Sequence, residues 1–442
     1  MADTRRTSIA IAGLWAAYIF LLPFHRVWNL PWLGTKLQPP EVVFLGLAAA
    51  SVALWWRHGI RPRFVLADLA VGTWILAHVA ALVLSHGPRD LDAVNETLGA
   101  VYLAGVYAAI RVTATPDLLD RFAGWFGYAA AIAAAVGIAG SLATWMGHAT
   151  RLATTAATPV PYLGLTPRAQ ALTAGPQMLA SILLMALPLF VAGRMRGGWR
   201  RRDVACVVIL GVGLAATLSK TALCLAAALA VMWACAPAVN ARHRVRVWTA
   251  AVVALSVAAM FAVGSRVVVM RQASVDLMST AQLVGGGPIA SFQWNREPWV
   301  LMPTTYAFNN KASLLAIGRS WPVGVGPAGQ PAFTKNLQRE GQFPRSIWIT
   351  TPHSVYLGTA AELGAAGLAA LALVLVAAGF AIRGLLAGPM GLRWEAAAYA
   401  GAGSAFVVEA ISTDLLNCRH YWLLLAVIVA RRQSLPPPAR AL

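Results

Sequence analysis

The sequence predicts an all-α integral membrane protein with about twelve transmembrane helices and one large non-cytoplasmic loop between helices nine and ten. Three observations carry that prediction. Of the 442 residues, 59% are hydrophobic and only 12% charged, against roughly 25% charged in soluble domains. Apolar stretches approaching the roughly 20 residues that cross a hydrocarbon core recur along the chain. Short loops between them alternate between arginine-rich and arginine-poor, which is the signature of membrane topology.

The expected spans are 8–24, 41–56, 65–85, 98–112, 122–146, 177–193, 203–219, 221–236, 248–264, 352–381, 394–411 and 418–431. With the N-terminus inside, the cytoplasmic loops and tails hold Arg5 and Arg6, the Arg57–Arg63 and Arg194–Arg202 groups, Arg242–Arg246 and Arg431–Arg432, among others. In all, 20 of the 35 Lys and Arg fall inside, and eight of the remaining 15 sit in the single long loop 265–351. Charge does not govern translocation of a loop that long. Both termini are therefore expected in the cytoplasm. The chain divides into helices one to nine (1–264), a loop domain (265–351), and helices ten to twelve with a short tail (352–442).

The net charge of +19 is spread over short loops beside apolar spans. It points to lipid head groups and topology, with no nucleic-acid partner. Arg5 and Arg6 before an apolar run resemble a signal peptide, but no small-residue cleavage site follows, so an uncleaved first span is expected. Cys206, Cys224, Cys235 and Cys418 lie in or at the ends of apolar spans without metal-ligand spacing and read as small buried residues.

Two non-cytoplasmic segments stand apart. Residues 147–176 form a loop rich in Thr and Pro, and 265–351 is far longer, broken by Gly285–Gly287 and by prolines that include Pro298, Pro303, Pro322, Pro331 and Pro344. Unstructured loops of that length are uncommon unless they work. The stretch Trp299–Ile317 reads as an interfacial helix. No repeat, coiled coil or strand pattern is expected.

The long loop carries Arg266, Arg271, Arg296, Lys311, Arg319, Lys335, Arg339 and Arg345 against Asp276, Glu297 and Glu340, a balance of 8 − 3 = +5. Cations in excess on the non-cytoplasmic side suit a multiply charged anion such as a pyrophosphate, which arginine binds bidentately; a solvated loop with scattered charges is the plainer reading. Lys220, in T-L-S-K-T-A at the end of the seventh span, reads equally as a snorkelling anchor or a phosphate ligand. His353 follows Pro352 at the outer end of the tenth span. On a helix it shares one stripe with Tyr356, Ala360, Gly364 and Gly367, whose small residues permit close packing. That stripe would aim His353 into the bundle mouth, where an imidazole serves as a general base near neutral pH. His78 and His420 are second-tier candidates. No metal or nucleotide-binding motif is present, and no cofactor is expected.

These residues resemble a family. His353-Ser354, nine residues, then Gly364-Ala365-Ala366-Gly367 is similar to the H-[N/S/Q]-x9-G-x-x-G pattern of bacterial O-antigen ligases. G-R-S-W-P-V-G-V-G-P-A-G from Gly318 resembles the P-x-x-G-x-G stretch of the wider ligase and polymerase superfamily. Gly175-Pro176-Gln177 is similar to its N-P-N helix start, and L-S-K-T-A-L at 218–223 to its S-R-G element, with Lys220 where arginine is usual. The family's arginine some sixteen residues before that proline has no counterpart, because Thr305-Tyr306-Ala307 stands there.

The resemblance implies a GT-C-like, metal-independent, inverting glycosyltransferase of the bacterial inner membrane, active on the periplasmic face. It implies transfer of O-antigen polysaccharide from undecaprenyl pyrophosphate to the lipid A–core oligosaccharide, with His353 as general base. Arg319 and Lys220 would bind pyrophosphate, with Arg266, Arg296, Arg345 and Tyr356 as further substrate-binding candidates. An O-antigen polymerase or a protein O-oligosaccharyltransferase would share the donor. A lipid-linked glycan transporter, from another class, should instead show repeats and broken helices at the midplane.

Overall fold

The structure, a computed structural model, describes residues 2–25, 38–59, 62–87, 89–160, 164–219, 222–237, 241–264, 266–272, 289–345, 347–414 and 417–435. Each of the twelve predicted spans carries a helix: α1 (Ala2–Leu21), α2 (Pro39–His58), α3 (Leu66–Leu84), α4 (Leu91–Thr113), α5 (Pro116–Trp145), α6 (Pro176–Gly197), α7 (Arg201–Ala216), α8 (Ala222–Cys235), α9 (Ala241–Gly264), α12 (Val355–Leu386), α13 (Met390–Glu409) and α14 (Arg419–Gln433). Among the described residues of the long loop lie two further helices, α10 (Thr305–Ser320) and α11 (Gln330–Arg339). Among the described residues, six helices (α2 to α6 and α12) are long and apolar enough to cross a membrane.

The chain's few carboxylates begin the helices and join them. Glu41, Asp68 and Asp203 each sit in a first turn and accept the backbone N–H three residues earlier, at 3.0, 2.8 and 3.0 Å. This satisfies donors that a helix start leaves open. Each also pairs with an arginine of another helix: Glu41 with Arg419, Asp68 with Arg111, and Asp203 with Arg194. Removing one such carboxylate would therefore cost a cap and an ion pair together.

These contacts sort the helix ends into two layers. At one end, Arg111 bonds Asp68 and donates to Gln433 Oε1 (2.7 Å) and Arg63 O (3.0 Å). Arg431, 4% exposed, binds Glu395 and Asp120 there. At the opposite end, Arg419 meets Glu41, Asn417 donates to Glu96 (2.6 Å), and Val355 N–H donates to Ala410 O (2.9 Å). The partition follows the alternation of arginine-rich and arginine-poor loops in the sequence. A Glu395→Ala variant should strand the Arg431 charge with only Asp120. A loss of about 3 kcal/mol is expected, the low end for breaking a buried pair, read as a lowered thermal unfolding temperature in detergent. An unchanged temperature would contradict it.

Small side chains let the helices approach. A Cβ on Gly213 would lie 2.5 Å from Ala134 Cβ, and one on Gly401 would lie 2.4 Å from Ala228 O. Such contacts replace the hydrophobic drive that helices lack in lipid.

Two small antiparallel sheets correct the expectation of a chain without strands. β1 (Ala153–Val160) pairs β2 (Gly164–Ala169) inside the 147–176 loop. In the long loop, β3 (Val267–Arg271), β4 (Ala290–Trp294) and β5 (Glu297–Pro303) form a sheet in the order β3-β5-β4. The β4–β5 turn is Asn295-Arg296, both with positive φ (53° and 64°), the two-residue hairpin geometry that matches strand twist. The predicted interfacial helix Trp299–Ile317 is thus split: Trp299–Pro303 belongs to β5 and a helix starts only at Thr305. Pro303 divides them, since the residue before a proline and the proline itself favour extended backbone.

The tenth predicted span is interrupted. Gly364, inside α12, adopts φ 60°, ψ −146°. The 322–326 segment docks into the break: Ala365 N–H donates to Pro322 O (2.8 Å), Val325 N–H to Ala361 O (2.8 Å) and Gly326 N–H to Glu362 O (3.0 Å). A Cβ at Gly364 would lie 2.0 Å from Pro322 O. The two glycine motifs that stand some forty residues apart in sequence are therefore one joint. Gly364→Ala should cost about 1–3 kcal/mol in backbone strain alone, with the displaced loop adding to it. Thermal unfolding measures this, and a neutral result would contradict the joint.

Candidate active site

His353 lies outside the helix it was expected to share. Pro352 precedes it, Ser354 caps α12 by accepting from Leu357 N–H (3.4 Å), and helical geometry starts at Val355. His353 itself has φ +48°, a region that side-chain-bearing residues seldom occupy, although histidine is among the more tolerant. The stripe through Tyr356, Ala360, Gly364 and Gly367 consequently does not extend to His353, and the break at Gly364 interrupts it. The left-handed backbone places the imidazole instead.

Neighbours over-determine that conformation. The Arg266 guanidinium donates through Nη2 to Ile411 O (2.9 Å) and to His353 O (3.4 Å). With the Asn310 amide turned so that its oxygen faces the guanidinium, Oδ1 accepts from Arg266 Nε (2.5 Å) and Nη2 (3.2 Å), while Nδ2 donates to Pro352 O (2.5 Å). Thr304 donates its N–H (2.9 Å) and hydroxyl (3.0 Å) to Arg266 O. Four segments, at 266, 304–310, 352–353 and 411, are thus knitted by one arginine. The planar five-donor fork makes that possible.

The imidazole packs edge-to-face on Tyr306, with ring centroids 4.6 Å apart, and the Arg266 Cζ lies 6.0 Å from the same tyrosine ring. Burial first, and the Arg266 charge second, hold the His353 pKa below the usual histidine value. Both disfavour imidazolium, so the ring is neutral at pH 7 with a nitrogen lone pair available. Burial also lowers the Arg266 pKa, but from a value so high that the guanidinium stays charged.

A second guanidinium interacts electrostatically with Tyr306. Arg168, on β2, donates Nε–H to Thr217 O (2.9 Å). Burial lowers its pKa and interaction with Tyr306 raises it. Arg168 is not among the site residues expected from the sequence, although the 147–176 loop that carries it stands apart there. The signal was there: an arginine on the side away from the topogenic arginines.

The other expected site residues are dispersed. Arg319 stands at the far end of α10 from Tyr306, about 20 Å along the axis at roughly 1.5 Å per residue, and pairs with Glu340 (3.0 Å) and Gln342 (2.6 Å). The structure therefore does not bring Arg319 beside His353; its motif is the joint that docks at Gly364. Arg296 is exposed at the β4–β5 hairpin tip, and Arg345 is exposed beyond α11. Tyr356 is half-buried and donates its hydroxyl to Val407 O (2.8 Å). Lys220 lies outside the described residues. His78 is tied to Trp74 O (3.0 Å) and His420 to Ser181 Oγ (3.1 Å), both as buried framework groups.

Below Tyr356, an apolar cleft of about 340 Å³ runs between α12, α13 and α14, lined by Leu371, Leu375, Ile382, Val407, Tyr421 and Leu425 among others. Its upper limit at Val407 is one helical turn from Ile411, whose carbonyl takes Arg266. The cleft thus ends about one helical turn short of the carbonyl that anchors Arg266.

No family model matches the chain, and no curated protein matches it.

Proposed function

We propose that the chain is a membrane glycosyltransferase, an O-antigen ligase. It would span the bacterial inner membrane twelve times in a GT-C-like arrangement, with His353 on the periplasmic face. The observation that carries this reading is a neutral His353 clamped by Arg266, at the helix ends opposite the arginine-rich layer and directly above an apolar cleft. Such a centre suits a substrate with a long isoprenoid tail, a doubly charged linker and a sugar.

The chemistry balances with these groups alone. A hydroxyl oxygen of the lipid A–core oligosaccharide attacks the anomeric carbon of the O-antigen chain. Its proton passes to the free imidazole nitrogen of His353. The anomeric carbon–oxygen bond to phosphate breaks, and undecaprenyl pyrophosphate leaves with the bonding pair. Arg266 and Arg168 face the charge that grows on the leaving oxygen, where fixed donors in a water-poor site act most strongly. Attack opposite the leaving group inverts the anomeric centre. The isoprenoid tail occupies the α12–α14 cleft.

The His353 pKa direction gives the pH profile its sign. Activity requires the neutral ring, so kcat/KM should be flat from pH 7 to 8 and fall on acidification. The inflection should lie below the ordinary histidine value near 6.5. An acid limb centred above 7 would contradict the assignment.

The reading is tested by incubating the purified protein with undecaprenyl-pyrophosphate-linked O-antigen and lipid A–core in the presence of EDTA. Glycan-bearing lipopolysaccharide on a gel is the expected product. Lengthened glycan on the donor lipid would replace the ligase with a polymerase, and no new glycosidic bond in folded protein would remove both.

A further inference from the structure

At the end of α10 away from His353, a cavity of about 440 Å³ opens between the 321–329 loop, α11 and the α3–α4 turn. Its volume is that of a small-molecule site, and the mechanism above makes no use of it. Trp321 (52% exposed), Phe333, Arg319, Asn336 and His86 line it. Gly87 closes one wall so tightly that a Cβ there would lie 1.8 Å from Val325 O.

The polar groups are held in place before any ligand arrives. The Arg319 guanidinium lies over the Phe333 ring (5.7 Å to the centroid) and is pinned by Glu340 and Gln342. Its Nε–H has no partner among the described residues. Arg339 donates Nη1–H to Asn336 Oδ1 (3.2 Å), bringing a second guanidinium to the rim. An accessible indole face beside fixed guanidinium and amide groups is the chemistry of saccharide recognition. The ring covers the apolar C–H face of a sugar, while the guanidinium takes a carboxylate or phosphate in charge-assisted bonds. Glu340 offsets part of the Arg319 charge, which leaves hydroxyl binding as well as anion binding within its range.

We infer that this cavity binds an anionic saccharide unit of one of the two glycan substrates, roughly 20 Å from His353 by the length of α10. The site orients a glycan chain whose reacting end lies at His353. The identity of that glycan rests on the transferase reading; the binding itself does not. Its source is the core oligosaccharide of the acceptor or the polysaccharide of the donor.

The test titrates the full chain in lipid nanodiscs with two probes: core oligosaccharide freed of lipid, and O-antigen polysaccharide freed of its carrier. One of the two should bind the wild type, and core oligosaccharide stripped of phosphate should bind more weakly if the acceptor is the source. Trp321→Ala and Arg319→Gln should each weaken binding by about 10-fold or more, the scale of losing one buried anchor, whereas His353→Asn should bind as wild type. Asn336→Ala serves if either variant unfolds. The inference fails if neither probe binds the wild type, or if binding survives these substitutions in folded protein. Loss of transfer by the wild type with saccharide binding intact would remove only the transferase reading. Intact transfer with binding indifferent to Trp321 and Arg319 would remove only the cavity.

Discussion

His353→Ala is expected to lower single-turnover glycan transfer by about 10²–10⁴-fold, the range for removing a positioned general base, while donor and acceptor still bind. The ring's contact with Tyr306 is modest, so the protein should still fold. His353→Asn separates the backbone from the chemistry. Asparagine tolerates the positive φ at this position about as well as histidine does, yet it cannot take a proton at pH 7. Equal loss in both variants would assign the effect to the base. Rescue by asparagine would assign it to the left-handed turn instead, and His353 would become a positioning residue.

Arg266→Ala carries the second large effect. It removes donors from Ile411 O, His353 O and Asn310 Oδ1 together and takes a positive charge from the proposed leaving-group site. A fall of about 10²–10³-fold in kcat is expected, as for loss of one transition-state donor. The pH profile distinguishes this from simple disruption. The Arg266 charge helps to hold the His353 pKa down, so its removal should move the acid limb upward. Arg266→Lys should leave the limb in place, because the charge is kept, while still losing rate, because an ammonium cannot reproduce the fork. An acid limb unmoved in Arg266→Ala would contradict the coupling between the two groups.

How much of this was legible in the sequence depends on the length scale of each feature. Helix positions were, because an apolar run of spanning length leaves few other structures open in lipid. The sorting of helix ends followed from arginines such as Arg63, Arg111 and Arg431, which the structure places in one layer. The strands were not legible. Val267–Arg271 and Ala290–Trp294 are five residues each, too short for alternation to register, and they meet β5 only through tertiary pairing. His353 stood out by its motif, but its orientation did not, because a helical stripe presumes helical backbone and His353 has φ +48°. Arg319 is a pyrophosphate-binding candidate by its motif alone, which says nothing of its distance from His353. In space the loop between them turns away, led by Pro322 and Gly324 into the break at Gly364. For Arg168 the charge on the non-cytoplasmic side was legible but its surroundings were not, because its partner Thr217 is 49 residues away.

The most direct test of the central claim follows both halves of the donor. The purified protein, reconstituted in liposomes with EDTA, would receive a lipid-linked glycan labelled separately in its isoprenoid and its sugar. The sugar label is expected on lipid A–core while the isoprenoid label accumulates as undecaprenyl pyrophosphate in equal amount, with neither change in His353→Asn. Movement of both labels across the bilayer on one intact molecule, with no glycosidic bond formed, would contradict it.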